Sequence, residues 1–320
     1  MENLREVRLS LLSTYAQDVV LQAWSPGTKK SYNVYLKLWG EYCTTNRIDM
    51  KNVTVNDGIE FLAFLFYERN LGYSAVNTAR SALSQIIKTD NSLTFGKQDL
   101  VSKFLKGVFR LRPSLPKYSI TYDPDIVLKY LSKQTDMDLK QLTFKLTTLL
   151  CLLTGQRNQT INSLDTDYMK VDEDGDRIIF LIPKILKTTT ASSHLAPLEL
   201  RRYHDETLCV VTHILLYIDV TAEVREKQHT QLLISYESPH APVSTKTTAR
   251  WVKQTLADAG VDTTVFKAHS TRSSSTSAVH SKGLSMADIR KAAGWKPGST
   301  FAKYYKRPII RNFGDTLLNV

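Results

Sequence analysis

Residues 267–278 read K-A-H-S-T-R-S-S-S-T-S-A, residues 292–295 read A-A-G-W, and residues 301–308 read F-A-K-Y-Y-K-R-P. About a hundred residues upstream, 154–157 read T-G-Q-R. His269 and Arg272 are three residues apart and share one face if the segment is helical. Tyr304 and Tyr305 follow Trp295 by nine and ten residues. On a helix they point about 100° apart, so only one of them can face a given point. Apolar and polar spacing predicts helices around Thr247–Ala259, Thr271–His280, Ser285–Ala293 and Ser299–Tyr305.

Further upstream the pattern stays mostly helical. Ser25-Pro26 offers an N-cap and first-turn pair, and Tyr32, Tyr35, Leu36, Leu38, Trp39 and Tyr42 follow at helical spacing. Thr54 can cap a second helix, Ser74 a third, and another covers Leu100 to Leu111. Three or four short amphipathic helices make a small bundle. Residues 111–123 carry two prolines and little periodicity, and read as a linker. Beyond it, helices are expected at Ile126–Ser132, Leu139–Leu153 and Thr207–Val220. D-E-D-G-D at 172–176 signals a turn before a strand at Ile178–Ile182, with a second strand near Leu195–Leu198. Lys187 falls between the two, at the tip of a hairpin. The expected fold is mainly α with a small β-sheet (α+β). A helical domain at 1–112 is joined by 113–123 to a mixed domain at 124–320.

The chain has 320 residues, enough for two ordinary domains, and its hydrophobic content of 42% is that of a packed protein. It has no stretch of eighteen apolar residues and no apolar segment behind its N-terminus, so neither a membrane span nor a secretory signal is expected. Cys43, Cys151 and Cys209 are far apart, which suggests reduced core thiols in an intracellular protein. No Cys/His cluster has zinc-ligand spacing, so no metal is expected. The net charge is +11, and its excess sits in two places: +5 over 97–117 and +8 over 267–320. A polyanion is the natural partner, and nucleic-acid phosphate fits better than a membrane surface. Lys103, Lys106, Arg110 and Arg112 carry the first basic segment. Lys303, Lys306 and Arg307, around the tandem tyrosines, belong to the second.

These residue types suit attack of a tyrosine on a phosphodiester. A phenol with an ordinary pKa near 10 must lose its proton. Cations must stabilise the transition-state phosphate, and a donor must protonate the leaving 5′ oxygen. Arginine suits the clamp, because its planar fork binds two oxygens and stays charged. Arg157 and Arg272 are the clamp candidates, and His269 can touch the phosphate or assist proton transfer. The Trp295 indole N–H can donate to a phosphate oxygen while the ring packs. Lys187 is the candidate acid, with Lys184 as its competitor.

In this order and spacing, Arg157, Lys187, His269, Arg272, Trp295 and a tyrosine resemble the active site of tyrosine recombinases, the phage-integrase family. K-G-V-F-R-L-R-P at 106–113, I-L-K-T at 185–188 and the terminal motifs look most like recombinases of eukaryotic mobile elements of the Crypton and DIRS type, and their domesticated relatives. The resemblance implies a 3′-phosphotyrosyl intermediate formed on double-stranded DNA without metal or other cofactor. It implies a monomer or dimer when free, four subunits on two duplexes, a tail at Phe313–Val320 that docks on a neighbour, and a nuclear location in a eukaryotic host. General family spacing points to Tyr304 as nucleophile, and the mobile-element pattern to Tyr305. The family often has an acidic residue three positions after the first arginine, where this chain has Thr160. That departure opens an alternative, a catalytically weak or silent sequence-specific DNA-binding protein. A type IB topoisomerase shares the nucleophile and clamp, but the N-terminal bundle and tandem tyrosines favour recombination. No RNP-like or KH-like signature supports RNA binding.

Overall fold

In a computed structural model, residues 2–89, 93–113, 120–187, 189–191, 194–295 and 307–309 are described. The chain divides into two compact units, Met1–Leu115 and Pro116–Val320. The architecture is mostly helical with one three-stranded antiparallel sheet.

The first unit holds six helices among the described residues: α1 (Glu2–Arg8), α2 (Thr14–Leu21), α3 (Pro26–Thr45), α4 (Val55–Tyr67), α5 (Tyr73–Leu83) and α6 (Asp99–Leu111). Two of these, α1 and α2, add to the three or four expected. Ser25 caps α3 by accepting from the Thr28 amide, with Pro26 in the first turn. Thr54 and Asp57 cap α4 reciprocally in a capping box. Ser74 is not a cap. Gly72 takes that position, because the helix starts at Tyr73, two residues earlier than a Ser74 cap would allow. The core gathers Trp39, Phe61, Leu65, Val76, Leu83, Phe95 and Val101. Trp39 and Phe61 meet edge to face at 5.2 Å.

The second unit is built around α8 (Leu139–Thr154), buried along most of its length, with α7 (Pro124–Ser132), α10 (Val210–Thr221), α11 (Thr245–Asp258) and α12 (Ser270–Ser281). Asp138 and Gln141 box the start of α8, and Gly155 ends it in the left-handed region at φ +58°. The short α9 (Asn158–Asn162) follows at once, and α13 (Met286–Ala292) lies near the end of the described chain. Thr121 and Tyr122, inside the segment expected to be a linker, are buried in this unit.

The sheet has the order β1 (Met169–Val171), β2 (Arg177–Phe180), β3 (Leu198–Arg201). Phe180 stands opposite both Met169 and Leu198. Ile178, Phe180, Leu198 and Leu200 point into the core while Glu199 and Arg201 face out. The strand expected near 195–198 therefore runs three residues later, because inward alternation begins only after Pro197. No strand was expected at β1. Helix α10 starts at Val210, not Thr207. The Thr207 hydroxyl donates to Asp205 Oδ1 at 2.6 Å in the turn before it, and Cys209 is the cap. The expected helix at Ser299–Tyr305 lies outside the described residues. All three cysteines are buried and free, and burial pushes the thiols of Cys43 and Cys151 up to about 12.

Candidate active site

Four segments of the second unit converge. Arg157 is the N-cap residue of α9, directly after the left-handed turn that ends α8. The turn is fixed from within. The Thr154 hydroxyl donates to Leu150 O at 2.6 Å and accepts from the Gln156 amide at 3.1 Å. Arg157 is half-buried.

His269 stands at the N-cap of α12, and Arg272 lies in its first turn. Helix α12 is nearly all hydroxylated yet buried over Ser270–Ala278. Most of its hydroxyls are satisfied by the protein, Ser275 being the exception. Thr271 donates to Ala268 O at 2.7 Å, Ser273 to Ser270 O at 2.9 Å, and Thr276 to Arg272 O at 2.6 Å. Ser274 donates to Tyr122 O at 2.9 Å. This settles how such a polar helix can be buried, since each of these hydroxyls bonds a carbonyl inside the fold. Those side chains are therefore committed to packing rather than turned toward a phosphate.

Arg272 is 1% exposed. Its guanidinium lies 4.5 Å from the centre of the Trp295 ring, and Nη2 donates to Ala293 O at 2.6 Å. Trp295 is itself buried, against Ile289 and Ala293 of the α13 end.

Lys187 is exposed in the connection between β2 and β3. That connection runs seventeen residues, 181–197, which is longer than a hairpin tip. A local turn holds Lys187. The Thr189 amide donates to Leu186 O at 2.9 Å, and the Leu186 amide donates to the Thr189 hydroxyl at 3.0 Å. Lys184, the competitor, pairs instead with the mostly buried Asp165, Nζ to Oδ2 at 3.6 Å.

The electrostatics tie three of the segments together. Desolvation, followed by the charges of Arg272, Arg157 and Lys187, holds His269 below the ordinary imidazole value. The residue is exposed by surface area, so solvent screens part of this effect. All three cations act in the same direction, and an imidazole lowered from about 6.5 is mainly neutral near pH 7. Thr160, where an acid was expected, is buried in α9, and its amide donates to Arg157 O at 2.8 Å.

Residues 307–308 bond to α12 and to Thr121. The Arg307 amide donates to the Ser277 hydroxyl at 3.1 Å, and the Thr121 amide donates to Pro308 O at 2.9 Å. Arg307 is half-buried. The expected nucleophiles Tyr304 and Tyr305, the basic Lys303 and Lys306, and the tail Phe313–Val320 lie outside the described residues. On the first unit, Lys103, Lys106 and Arg110 share the exposed face of α6, opposite buried Val101, Leu105 and Val108. Lys103 also pairs with Asp99 at 2.8 Å. Arg112 differs from them. Its guanidinium lies 4.4 Å from the Phe66 ring centre, and Nη1 donates to Leu71 O at 3.1 Å.

The sequence reading passed over Gln156. Its Nε2 donates to Ala292 O at 2.6 Å across 136 residues of chain. A lone glutamine carries no motif, and only its place beside Arg157 could have marked it. Among the described residues, no group of three or more His, Cys, Asp or Glu side chains is placed to hold a metal, and no helix is long and apolar enough to cross a membrane.

Three solved structures share the fold. The XerH site-specific recombinase bound to palindromic difH substrate, a post-cleavage complex, is 16% identical over 86% of this chain and 75% of its own, with a TM-score of 0.60. The Tn1549 transposon integrase in complex with transposon right end DNA is 13% identical over 95% and 96%, with a TM-score of 0.61. A lambda integrase dimer bound to a COC′ core site is 16% identical over 95% and 96%, with a TM-score of 0.53. No curated protein matches the chain. The model of the phage integrase family matches residues 127–308, more than half the chain and all four site segments. The chain therefore belongs to the phage integrase family, the tyrosine recombinases.

Proposed function

We propose that this tyrosine recombinase cleaves and rejoins double-stranded DNA at specific sites to integrate or excise a mobile element, with Tyr305 as the nucleophile. The Tyr305 oxygen attacks phosphorus, a phosphotyrosyl bond forms to the 3′ end, and the bond to the 5′ oxygen breaks. The phenolic proton passes to neutral His269, and Lys187 gives a proton to the leaving 5′ oxygen. Arg157 and Arg272 hold the non-bridging oxygens, and Trp295 braces Arg272. The phosphotyrosyl link conserves the bond energy. Attack by the 5′ hydroxyl of the exchanged strand therefore rejoins DNA without ATP.

One observation carries this reading: the charges of the two arginines and Lys187 all lower the His269 imidazole, although these residues come from three separate segments. Its order of partners also favours Lys187 over Lys184, which is engaged by Asp165. The helical unit would add a sequence-independent hold through Lys103, Lys106 and Arg110 on the exposed face of α6. The XerH, Tn1549 and lambda enzymes have each been seen bound to DNA, and lambda integrase as a tetramer on a Holliday junction. By analogy this chain would act as a tetramer on two duplexes. The element type we favour is Crypton or DIRS, which would place the enzyme in a nucleus.

Thr160 in place of the acid supports one other reading, a DNA-binding protein that no longer cleaves. Nicked suicide duplexes drawn from DNA flanking the gene distinguish the two. A covalent protein–DNA adduct on a denaturing gel supports the recombinase. Tight binding to the same duplexes without any adduct supports the silent protein.

A further inference from the structure

We infer that Gln156 is a positioning residue for cleavage: its side-chain amide locks the Arg157 turn to the Trp295 turn, and so sets how fast the phosphate is attacked. The inference rests on the recombinase reading above.

Helix C-termini leave carbonyls without intrahelical partners. At the end of α13 two consecutive carbonyls are taken by side chains from other segments. Gln156 Nε2 donates to Ala292 O at 2.6 Å, and Arg272 Nη2 donates to Ala293 O at 2.6 Å. The next residue is Gly294, with φ +62°. A Cβ there would stand 3.2 Å from Gln156 Oε1 and 3.4 Å from Nε2, so the amide packs flat on the glycine. Trp295 follows, with its ring beneath Arg272. A continuous set of contacts thus runs from Arg157 through Gln156 to 292–295, and from there to Arg272.

Gln156 suits this role because it is rigid. It is 6% exposed, its own amide is tied to Thr154, and Gly155 beside it packs 3.4 Å from Thr276 of α12 at the position a Cβ would take. One peptide bond separates it from Arg157. A shift of the 292–295 turn therefore reaches one clamp through Gln156 and the other through Ala293. The amide touches neither phosphate nor nucleophile in this scheme and acts only through the clamps. The chemistry needs a donor of this length. Methionine has the length and no donor, and a carboxylate would oppose the Ala292 carbonyl.

The test compares full-length wild type with Gln156→Met in single-turnover adduct formation on suicide duplexes, with DNA affinity and melting temperature measured alongside. Misplacing a clamp by about 1 Å costs on the order of 100-fold in rate. The expected result is a fall of about 10- to 100-fold in cleavage, with the Kd for DNA within about twofold of wild type. Repeating it with a methylphosphonate at the scissile position separates positioning from mere folding. That neutral centre asks less of the arginines, so the deficit should shrink to within about threefold. Should Gln156→Met lose its folding transition, Gln156→Glu carries the test. Its neutral acid can donate to Ala292 and its carboxylate cannot, so its rate relative to wild type should rise as pH falls from about 7.5 to about 5.5. Wild-type cleavage by Gln156→Met, or an equal deficit on both substrates, overturns the inference. A wild type that forms no adduct at all overturns the recombinase reading and this inference with it.

Discussion

The guanidinium of Arg272 stacks on the Trp295 ring at 4.5 Å, and the same group holds the carbonyl of Ala293, two residues before that ring. The tryptophan and the arginine thus fix each other. Stacking leaves the guanidinium plane set by the ring, and the hydrogen bond sets its rotation within that plane.

Removing the ring should cost more than its packing. A desolvated cation–π contact is worth roughly 2 kcal/mol, which corresponds to about 30-fold in rate if it is spent on placing the clamp. Trp295→Ala should therefore lower single-turnover cleavage at least about tenfold, and Trp295→Phe, which keeps a ring face, should lose less. Equal losses in the two variants would argue that the ring only fills space.

Gly294 is favoured by its left-handed φ of +62°, and a Cβ there would also push aside the end of the Leu195 side chain, whose Cδ1 lies 2.7 Å away. Gly294→Ala should destabilise by about 1–2 kcal/mol from backbone strain and also slow cleavage by displacing the Gln156 amide. Gly283, at φ +94°, has nothing within 4 Å of a Cβ. Gly283→Ala should show the strain alone in a urea titration, with cleavage unchanged.

The α6 basic residues should separate into two groups. Lys103→Gln, Lys106→Gln and Arg110→Gln should each weaken DNA binding at all sequences and reduce the slope of log K against log salt by about one. Arg112→Ala should instead lower thermal stability, because that side chain covers Phe66 and bonds Leu71 O. A salt slope reduced by Arg112→Ala at unchanged stability would contradict this division.

His213 should make the catalytic unit sensitive to acid. It is 4% exposed and shares a 2.7 Å hydrogen bond between Nδ1 and Cys209 O. Burial lowers its pKa, Lys145 lowers it further, and the bond to Cys209 opposes them. The folded value lies below the unfolded value of about 6.5, so the unfolded chain takes up the proton first. The stability it contributes is present above about pH 6.5 and is lost as pH falls through the folded value. Urea midpoints measured between about pH 7.5 and 5 should fall on acidification, and His213→Gln should flatten that fall.

What the sequence made legible follows from range. Caps are local, so Ser25-Pro26 and Thr54 could be read directly, and both cap their helices. Ser74 misled because Gly72, with no side chain to signal a cap, takes the position. Helix α2 exposes Tyr15 and Val19 and so lacks a clean apolar stripe. Strand β1 has three residues, none of them buried, which leaves no alternation to detect. In the site, motif order pointed to Arg157, His269, Arg272, Trp295 and Lys187, because phosphate chemistry restricts the residue types. The Gln156–Ala292 bond was invisible, since one partner is a backbone carbonyl and can belong to any residue. The burial of the α12 hydroxyls was hidden for the same reason.

The most direct measurement is peptide mapping, by mass spectrometry, of the adduct trapped on a suicide duplex from the DNA flanking the gene. The account predicts a nucleotide 3′-phosphate esterified to Tyr305, in an adduct that Tyr305→Phe abolishes and Tyr304→Phe retains. Tight, salt-sensitive binding with no adduct, or an adduct mapped to any residue other than Tyr305, would contradict it.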